Sequence, residues 1–283
     1  MLTAAANVGP VPRVDEESLR LVLELLNRRY GFQFRDSFLE MVRTRLARRL
    51  LEAGVADLRD YYYRLLYDPD AAAEMDALFD SIANNETYFY REESQIQAFA
   101  QEVLPERRAA GGGGRVRVWS AGCSSGEEPY SLAIAALEAG PQAAAALEIF
   151  ATDQSRRALE RAATGVYGAF AFRSLTPALQ ERYFERQGDG RWRVVPEVRQ
   201  CVRFGRCNLV GQAGDLPLVR FDAIFCRNVL IYFDRDARRR VVELFHDRLA
   251  DGGYLFLGHS ETLLELSDRF EFASLSRDLA YRR

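Results

Sequence analysis

The chain has 283 residues, 48% hydrophobic and 28% charged, the make-up of a soluble globular protein with core enough to fold without disulfide staples. Its formal charge of −3 argues against a general nucleic-acid binder, whose domains are strongly basic. No run of about 18 apolar residues and no basic-then-apolar leader is present, so a cytoplasmic protein without membrane insertion is expected. Cys123, Cys201, Cys207 and Cys226 are far apart with no CxxC, and there are only 2 histidines, so no metal site or disulfide framework is expected. All 38 basic residues are arginine, a bias we attribute to genome base composition rather than to function.

From about Glu16 to Phe79 the pattern is helical, punctuated by Gly31, Gly54 and Pro69, and predicts a bundle of three or four helices. In the second of these, Phe38, Val42, Leu46 and Leu50 form the apolar stripe, and Arg45, Arg48 and Arg49 fall on a face turned away from it. A further helix, ESQIQAFAQEVLPERRAA, runs into the glycines 111–114. Strands and helices then alternate, RVRVWSA, PYSLAIAALEA, LEIFATD, QSRRALERAAT, CVRFGRCNL, FDAIFC, DRDARRRVVELFHDRL and GYLFLGH, which implies an α/β protein with a mostly parallel sheet covered by helices. FEFASLSRDLAYRR is expected as a last strand inserted beside GYLFLGH. The rhythm breaks between 165 and 204, where TPALQERYF predicts a short helix and RWRVVPEV around QGDG a hairpin, a small appended β-unit.

In open α/β sheets ligands sit at the carboxyl ends of the strands. The residues there are SAGCSSGEE after the first strand, Asp153 after the second, Asn208 and Leu209 after the third, and Arg227 and Asn228 after the fourth. The first of these resembles a nucleotide-binding strand-loop-helix, yet Glu127 and Glu128 at the helix start would repel a phosphate. They suit a ligand with a positive charge, such as S-adenosylmethionine, or they simply complement the helix macrodipole. Asp153 suits a ribose diol, or an N-cap of the next helix.

Further residues decide between these readings by resemblance. NNETYFYRE at 84–92, with WSAGCSSGEEPYSLAI, FATD, NL, FDAIFCRNVLIYFD and LGHSE in that order, is similar to the CheR family of chemotaxis receptor methyltransferases over nearly the whole chain. The resemblance implies a class I S-adenosylmethionine-dependent methyltransferase fold, Rossmann-like, mostly parallel with an antiparallel last strand. It implies an N-terminal helical substrate-recognition domain at 1–82 and a methyltransferase domain at 83–283 with a small β-subdomain at about 170–204. It further implies a cofactor pocket of Asn85, Thr87, Arg91, Glu128, Asp153, Asn208, Leu209, Arg227 and Asn228, with Arg91 and Tyr232 facing the transferred methyl. The implied reaction makes glutamate methyl esters on chemoreceptors and S-adenosylhomocysteine, in adaptation of chemosensory signalling. The substrate is an ionised carboxylate at neutral pH, so the absence of an obvious base here agrees with it. Arg45, Arg48 and Arg49 are then candidates to meet a glutamate-rich receptor helix, against the plainer reading of a solvated arginine face. Binding of a receptor C-terminal peptide at the β-subdomain is the weaker expectation, because the turn there is short. His259 is expected to be structural, and the protein a monomer. Three other readings are a non-catalytic cofactor-binding module, a methyltransferase for another substrate, and a dinucleotide oxidoreductase.

Overall fold

The computed structural model describes residues 12–211 and 214–283, in two compact units that meet in sequence at Asn84 and Asn85. Most of the N-terminal stretch read for a leader, 1–11, lies outside the described residues. Among the described residues of the first unit four helices form: α1 (Glu16–Tyr30), α2 (Asp36–Ala53), α3 (Leu58–Tyr67) and α4 (Ala71–Ile82). Asp15 caps α1, its side chain accepting the Ser18 N–H at 2.9 Å, and Gly31 and Gly54 end α1 and α2 in the left-handed conformation. The periodic apolar positions meet in one core of Leu19, Val22 and Leu26 with Val42, Leu46, Leu50, Tyr61, Leu65 and Leu78. Phe38 departs from the expected stripe: it sits in the first turn of α2, past the packed stretch, and is 43% exposed.

The second unit opens with the expected long helix, interrupted. It comprises α5 (Glu93–Ala98), a π-helical turn (Phe99–Val103) and α6 (Leu104–Ala110). Pro105 has no N–H, and its ring clashes with the carbonyl four residues back in a regular helix; the wider turn relieves that crowding. There follow β1 (Val116–Ala121), α7 (Glu127–Glu138), α8 (Pro141–Ala146), β2 (Leu147–Asp153) and α9 (Arg156–Thr164). The small sheet takes β3 (Val166–Tyr167), β4 (Phe184–Arg186) and β5 (Trp192–Val194), with α10 (Pro177–Tyr183) before β4 and α11 (Pro196–Arg199) after β5. The chain closes with β6 (Val202–Arg206), β7 (Phe221–Cys226), α12 (Arg235–Arg248), β8 (Leu249–Leu257), β9 (Glu271–Ser274) and β10 (Leu279–Arg282).

Among the described residues seven strands order as β6-β2-β1-β7-β8-β10-β9, with β10 antiparallel to both β8 and β9 and the other pairs parallel. Val118 pairs with Ile149 of β2 and Ala223 of β7, and Cys226 with Leu257 of β8, so the carboxyl ends of four strands line up along one edge. Two expectations change. The C-terminal segment is a β9–β10 hairpin rather than one strand, only β10 pairing with β8. The predicted hairpin at QGDG exists as β4 and β5, and β3 adds a third strand on the other side of β5. Two residues of β3 carry too little alternation to be seen in sequence.

Candidate functional site

The loop from β1 to α7 is fixed by its neighbours. Gly122 and Cys123 donate their N–H groups to the Thr152 carbonyl at 2.8 and 3.0 Å, and the Ser124 N–H reaches Asp153 Oδ2 at 2.8 Å. Gly122 has φ 80°, and a Cβ there would stand 2.6 Å from Val229 Cγ2, so the loops after β1 and β7 touch where only glycine fits. Asp153 does not cap α9. That task falls to Ser155, whose Oγ accepts the Ala158 N–H at 3.0 Å, while Asp153 Oδ1 accepts the Ser155 N–H at 2.8 Å. The carboxylate of Asp153 is therefore oriented by two backbone amides from two loops.

The paired glutamates part company. Glu128 accepts from Ser120 Oγ and from Arg227 Nε, both at 2.7 Å, so its charge is answered inside the protein. Glu127 is 3% exposed, and burial pushes its carboxyl above the ordinary value against a hydrogen bond from Ser125 Oγ at 2.8 Å. It lines a cavity of about 260 Å³ with Asn85, Thr87, Arg161, Tyr167 and Phe170. The two acids thus do not act as one anionic patch.

Arg227 is the hub of this arrangement. Its side chain is 2% exposed, and besides Glu128 its Nη1 donates to the Arg91 carbonyl at 2.7 Å and stands 3.7 Å from Glu92 Oε2. The segment 85–92 is pinned elsewhere too: Asn85 O accepts from Ser124 Oγ at 3.3 Å, Phe89 N–H from the fully buried ring position meets Ala171 O at 2.9 Å, and the Tyr90 N–H meets Ser131 Oγ at 3.0 Å. Arg91 Nη1 donates to the Glu86 carbonyl at 3.0 Å, and Arg173, 3.5 Å over the Tyr88 ring, pairs with Glu86 at 3.1 Å. Tyr90 and Glu92, on either side of Arg91, have φ of 59° and 52°; Ser124 and Asn228 share that left-handed conformation. Strained non-glycine backbone of this kind persists only where its surroundings impose it, and it collects here around the predicted residues.

After β6, Asn208 Oδ1 accepts the Val210 N–H at 3.1 Å and Leu209 is 8% exposed. After β7, the Asn228 N–H donates to Glu261 Oε2 at 2.7 Å, and Asn228 Oδ1 is buried with no hydrogen-bond partner among the described residues. A buried acceptor lacking a donor is what a pocket for a hydroxyl- or ammonium-bearing ligand provides, so the residues present fit S-adenosylmethionine. Tyr232 lies half-buried in a 3₁₀ turn, Leu230–Tyr232. Sequence reasoning passed over Glu261, an isolated acid in LGHSE whose importance lies in the backbone amides brought to it from elsewhere. His259 donates its N–H to Glu92 Oε1 at 3.4 Å and its Nε2 lies 3.0 Å from Asp278 Oδ2, holding the loop after β8 against the C-terminal hairpin.

The model of the CheR methyltransferase S-adenosylmethionine-binding domain matches residues 85–279, and that of the CheR all-alpha domain matches 17–83. The chain belongs to the CheR methyltransferase family. Among curated relatives, chemotaxis protein methyltransferase 1 of Pseudomonas aeruginosa is 39% identical, covering 86% of this chain and 89% of its own. Chemotaxis protein methyltransferase 2 of Vibrio cholerae is 36% identical over 89% and 87%, and the chemotaxis protein methyltransferase of Escherichia coli 35% over 91% and 88%. The second unit is accordingly a class I S-adenosylmethionine-binding domain.

In the CheR all-alpha domain the three candidate arginines do not form one open face. Arg45 Nη1 donates to the carbonyls of Ile82 and Ala83 at 2.7 and 3.0 Å, closing the C-terminus of α4. Arg49 forks onto the buried Glu74 at 2.8 and 2.7 Å, and Tyr61 donates to the same carboxylate. Burial opposes ionisation of Glu74, but the hydrogen bonds from Arg49 and Tyr61 outweigh it and hold the carboxyl below its ordinary value. Arg48, 62% exposed beside Glu52, is the one of the three directed to solvent. Residues at the margins of a helical stripe are near enough to neighbouring helices for a long side chain to turn inward, which periodicity alone does not reveal. No helix among the described residues is long and apolar enough to cross a membrane.

Proposed function

We propose that this CheR-family chain transfers the methyl group of S-adenosylmethionine to glutamate side chains on the cytoplasmic helical region of chemoreceptors, forming methyl esters and S-adenosylhomocysteine during adaptation. The observation that carries the reading is the carboxyl edge of the sheet, where Asp153 ends β2, Asn208 and Asn228 follow β6 and β7, Arg227 bonds the Arg91 carbonyl, and Asn228 Oδ1 lacks a hydrogen-bond partner among the described residues. When bound, S-adenosylmethionine supplies a methyl on positively charged sulfur. Asp153, oriented by two amides, would hold the ribose hydroxyls, Leu209 would lie against the adenine, and Asn85, Thr87 and Asn228 would meet the remaining polar groups.

The acceptor needs no base. A glutamate with an ordinary pKa of about 4.3 is already ionised at neutral pH. Arg91 keeps its guanidinium oriented through the Glu86 carbonyl and holds the acceptor carboxylate with its other N–H groups, while the Tyr232 hydroxyl donates to the same carboxylate. Holding that carboxylate oxygen in place and excluding water would supply several kcal/mol of the barrier reduction. Glu128 and Arg227 act by position: their mutual ion pair sets the turn that carries Arg91.

On the helical domain the surface offered to the receptor centres on Arg48, with Arg45 and Arg49 shaping it from within. The β-subdomain turn closes tightly, Gln187 N–H to Arg191 O at 2.8 Å, and supports a member that works without a receptor tail peptide. A cytoplasmic monomer without nucleic-acid partners completes the reading. The deciding experiment is transfer of labelled methyl from S-adenosylmethionine to receptor-containing membranes, scored as methanol released by alkali. Release establishes a carboxyl methyl ester; no transfer to authentic receptors would sink the proposed substrate.

A further inference from the structure

The loop after β7 carries Arg227, Asn228 and Tyr232, and it is held by two oppositely charged groups that the reaction does not consume. On one side three amides converge on the Glu261 carboxylate: Asn228 N–H at 2.7 Å and Gly258 N–H at 2.8 Å on Oε2, and Ile231 N–H at 3.2 Å on Oε1. On the other, Arg238 Nε donates to the carbonyls of Leu230 and Phe233, both at 2.9 Å. The 3₁₀ turn bearing Tyr232 lies between these clamps. Packing at the first is close: a Cβ on Gly258 would stand 2.7 Å from Asn228 Nδ2, 2.9 Å from its backbone nitrogen and 3.0 Å from Glu261 Oε2. Asn228 has φ 60°, the left-handed conformation that asparagine adopts more readily than other residues with a side chain, and its N–H is held there by Glu261.

We propose that Glu261 is a positioning residue for methyl transfer, holding Asn228 in its left-handed conformation at the cofactor pocket and fixing the turn from which Tyr232 meets the acceptor carboxylate. The inference rests on the reading of Asn228 and Tyr232 given above. The chemistry favours a carboxylate: it accepts at both oxygens, whereas an amide of the same shape accepts at one and turns an NH₂ group towards a backbone N–H. Burial raises the carboxyl of Glu261 above its ordinary value, and the amides of Gly258, Asn228 and Ile231 oppose that rise.

The test uses the full chain with Glu261→Gln, measuring S-adenosylhomocysteine affinity by calorimetry and methyl transfer to receptor membranes. Affinity and kcat should each fall about tenfold or more, with the KM for receptor within about twofold of wild type. In an Asn228→Ala background the Gln substitution should cost no further affinity, because both changes disable one unit. Glu261→Asp, which keeps the charge with a shorter reach, should recover part of the affinity and serves if the Gln variant folds poorly. Wild-type affinity and kcat in Glu261→Gln, or losses that simply add to those of Asn228→Ala, would overturn the proposal. A fully active Tyr232→Phe would instead retire the methyl-facing reading of Tyr232, while non-additivity with Asn228, read by binding alone, would still support the positioning role of Glu261.

Discussion

Arg227 shows how far a residue's type is from its task. An arginine at a strand end suggests ligand contact, yet its guanidinium is spent on Glu128, the Arg91 carbonyl and the neighbourhood of Glu92. Removing one member of a buried ion pair leaves an uncompensated charge, a loss of about 3–5 kcal/mol. Arg227→Ala should therefore lower the denaturant midpoint of the second unit and disorder the Arg91 turn, and Arg227→Lys should recover little, since an ammonium cannot span the same partners. Unchanged stability with weakened S-adenosylhomocysteine binding would instead mean that the guanidinium serves the cofactor directly. Gly122 is demanded by a contact, the Val229 side chain where a Cβ would go, although the contacting residue itself could not be foreseen.

Among the elements, α2 carries the clearest consequence. Arg45→Ala should destabilise the helical unit by about 1 kcal/mol through the lost cap on α4, with methyl transfer falling only as the domain loosens. Arg48→Glu should leave stability within about 0.5 kcal/mol and cofactor affinity unaltered while weakening receptor methylation; equal loss of methylation and cofactor binding would remove the receptor role from this helix. The Glu74 cluster gives the same unit a pH dependence. A carboxyl whose pKa is lower folded than unfolded stabilises the fold fully above the unfolded value and ceases to do so as the pH falls through the folded one. Thermal midpoints followed from neutral to acid should thus begin to drop near the ordinary glutamate range, about pH 4–5, and this decline should be smaller in Glu74→Gln. The partly exposed Arg49 tempers its size, because solvent screens the pair.

For the whole molecule, the small three-stranded sheet raises a question of partner rather than of chemistry. Its edges are β3 and β4, both short, and the β4–β5 turn is closed by its own hydrogen bonds. Strand addition depends on a run of unpaired backbone groups, and short edges offer few. A receptor tail peptide titrated into the full chain should accordingly show no tight binding, and methylation should be the same for receptors with and without that tail; micromolar or tighter binding would reverse this conclusion.

The sequence by itself determined the bundle of helices, the α/β alternation and the strand-end positions of Asp153, Asn208 and Asn228, because hydrophobic period and glycine placement report which way each segment faces. It also carried the motifs from NNETYFYRE to LGHSE that point to the CheR family. Only the tertiary structure decided what the charges do. Glu128 and Arg227 are 99 residues apart in the chain, and Asn228 and Glu261 are 33 apart. The short β3, the second C-terminal strand and the inward turn of Arg45 and Arg49 were settled in the same way, by partners on other segments. Periodicity records the direction of a Cβ along one element, but a long polar side chain is placed by whichever distant backbone or counter-charge folding brings within its reach.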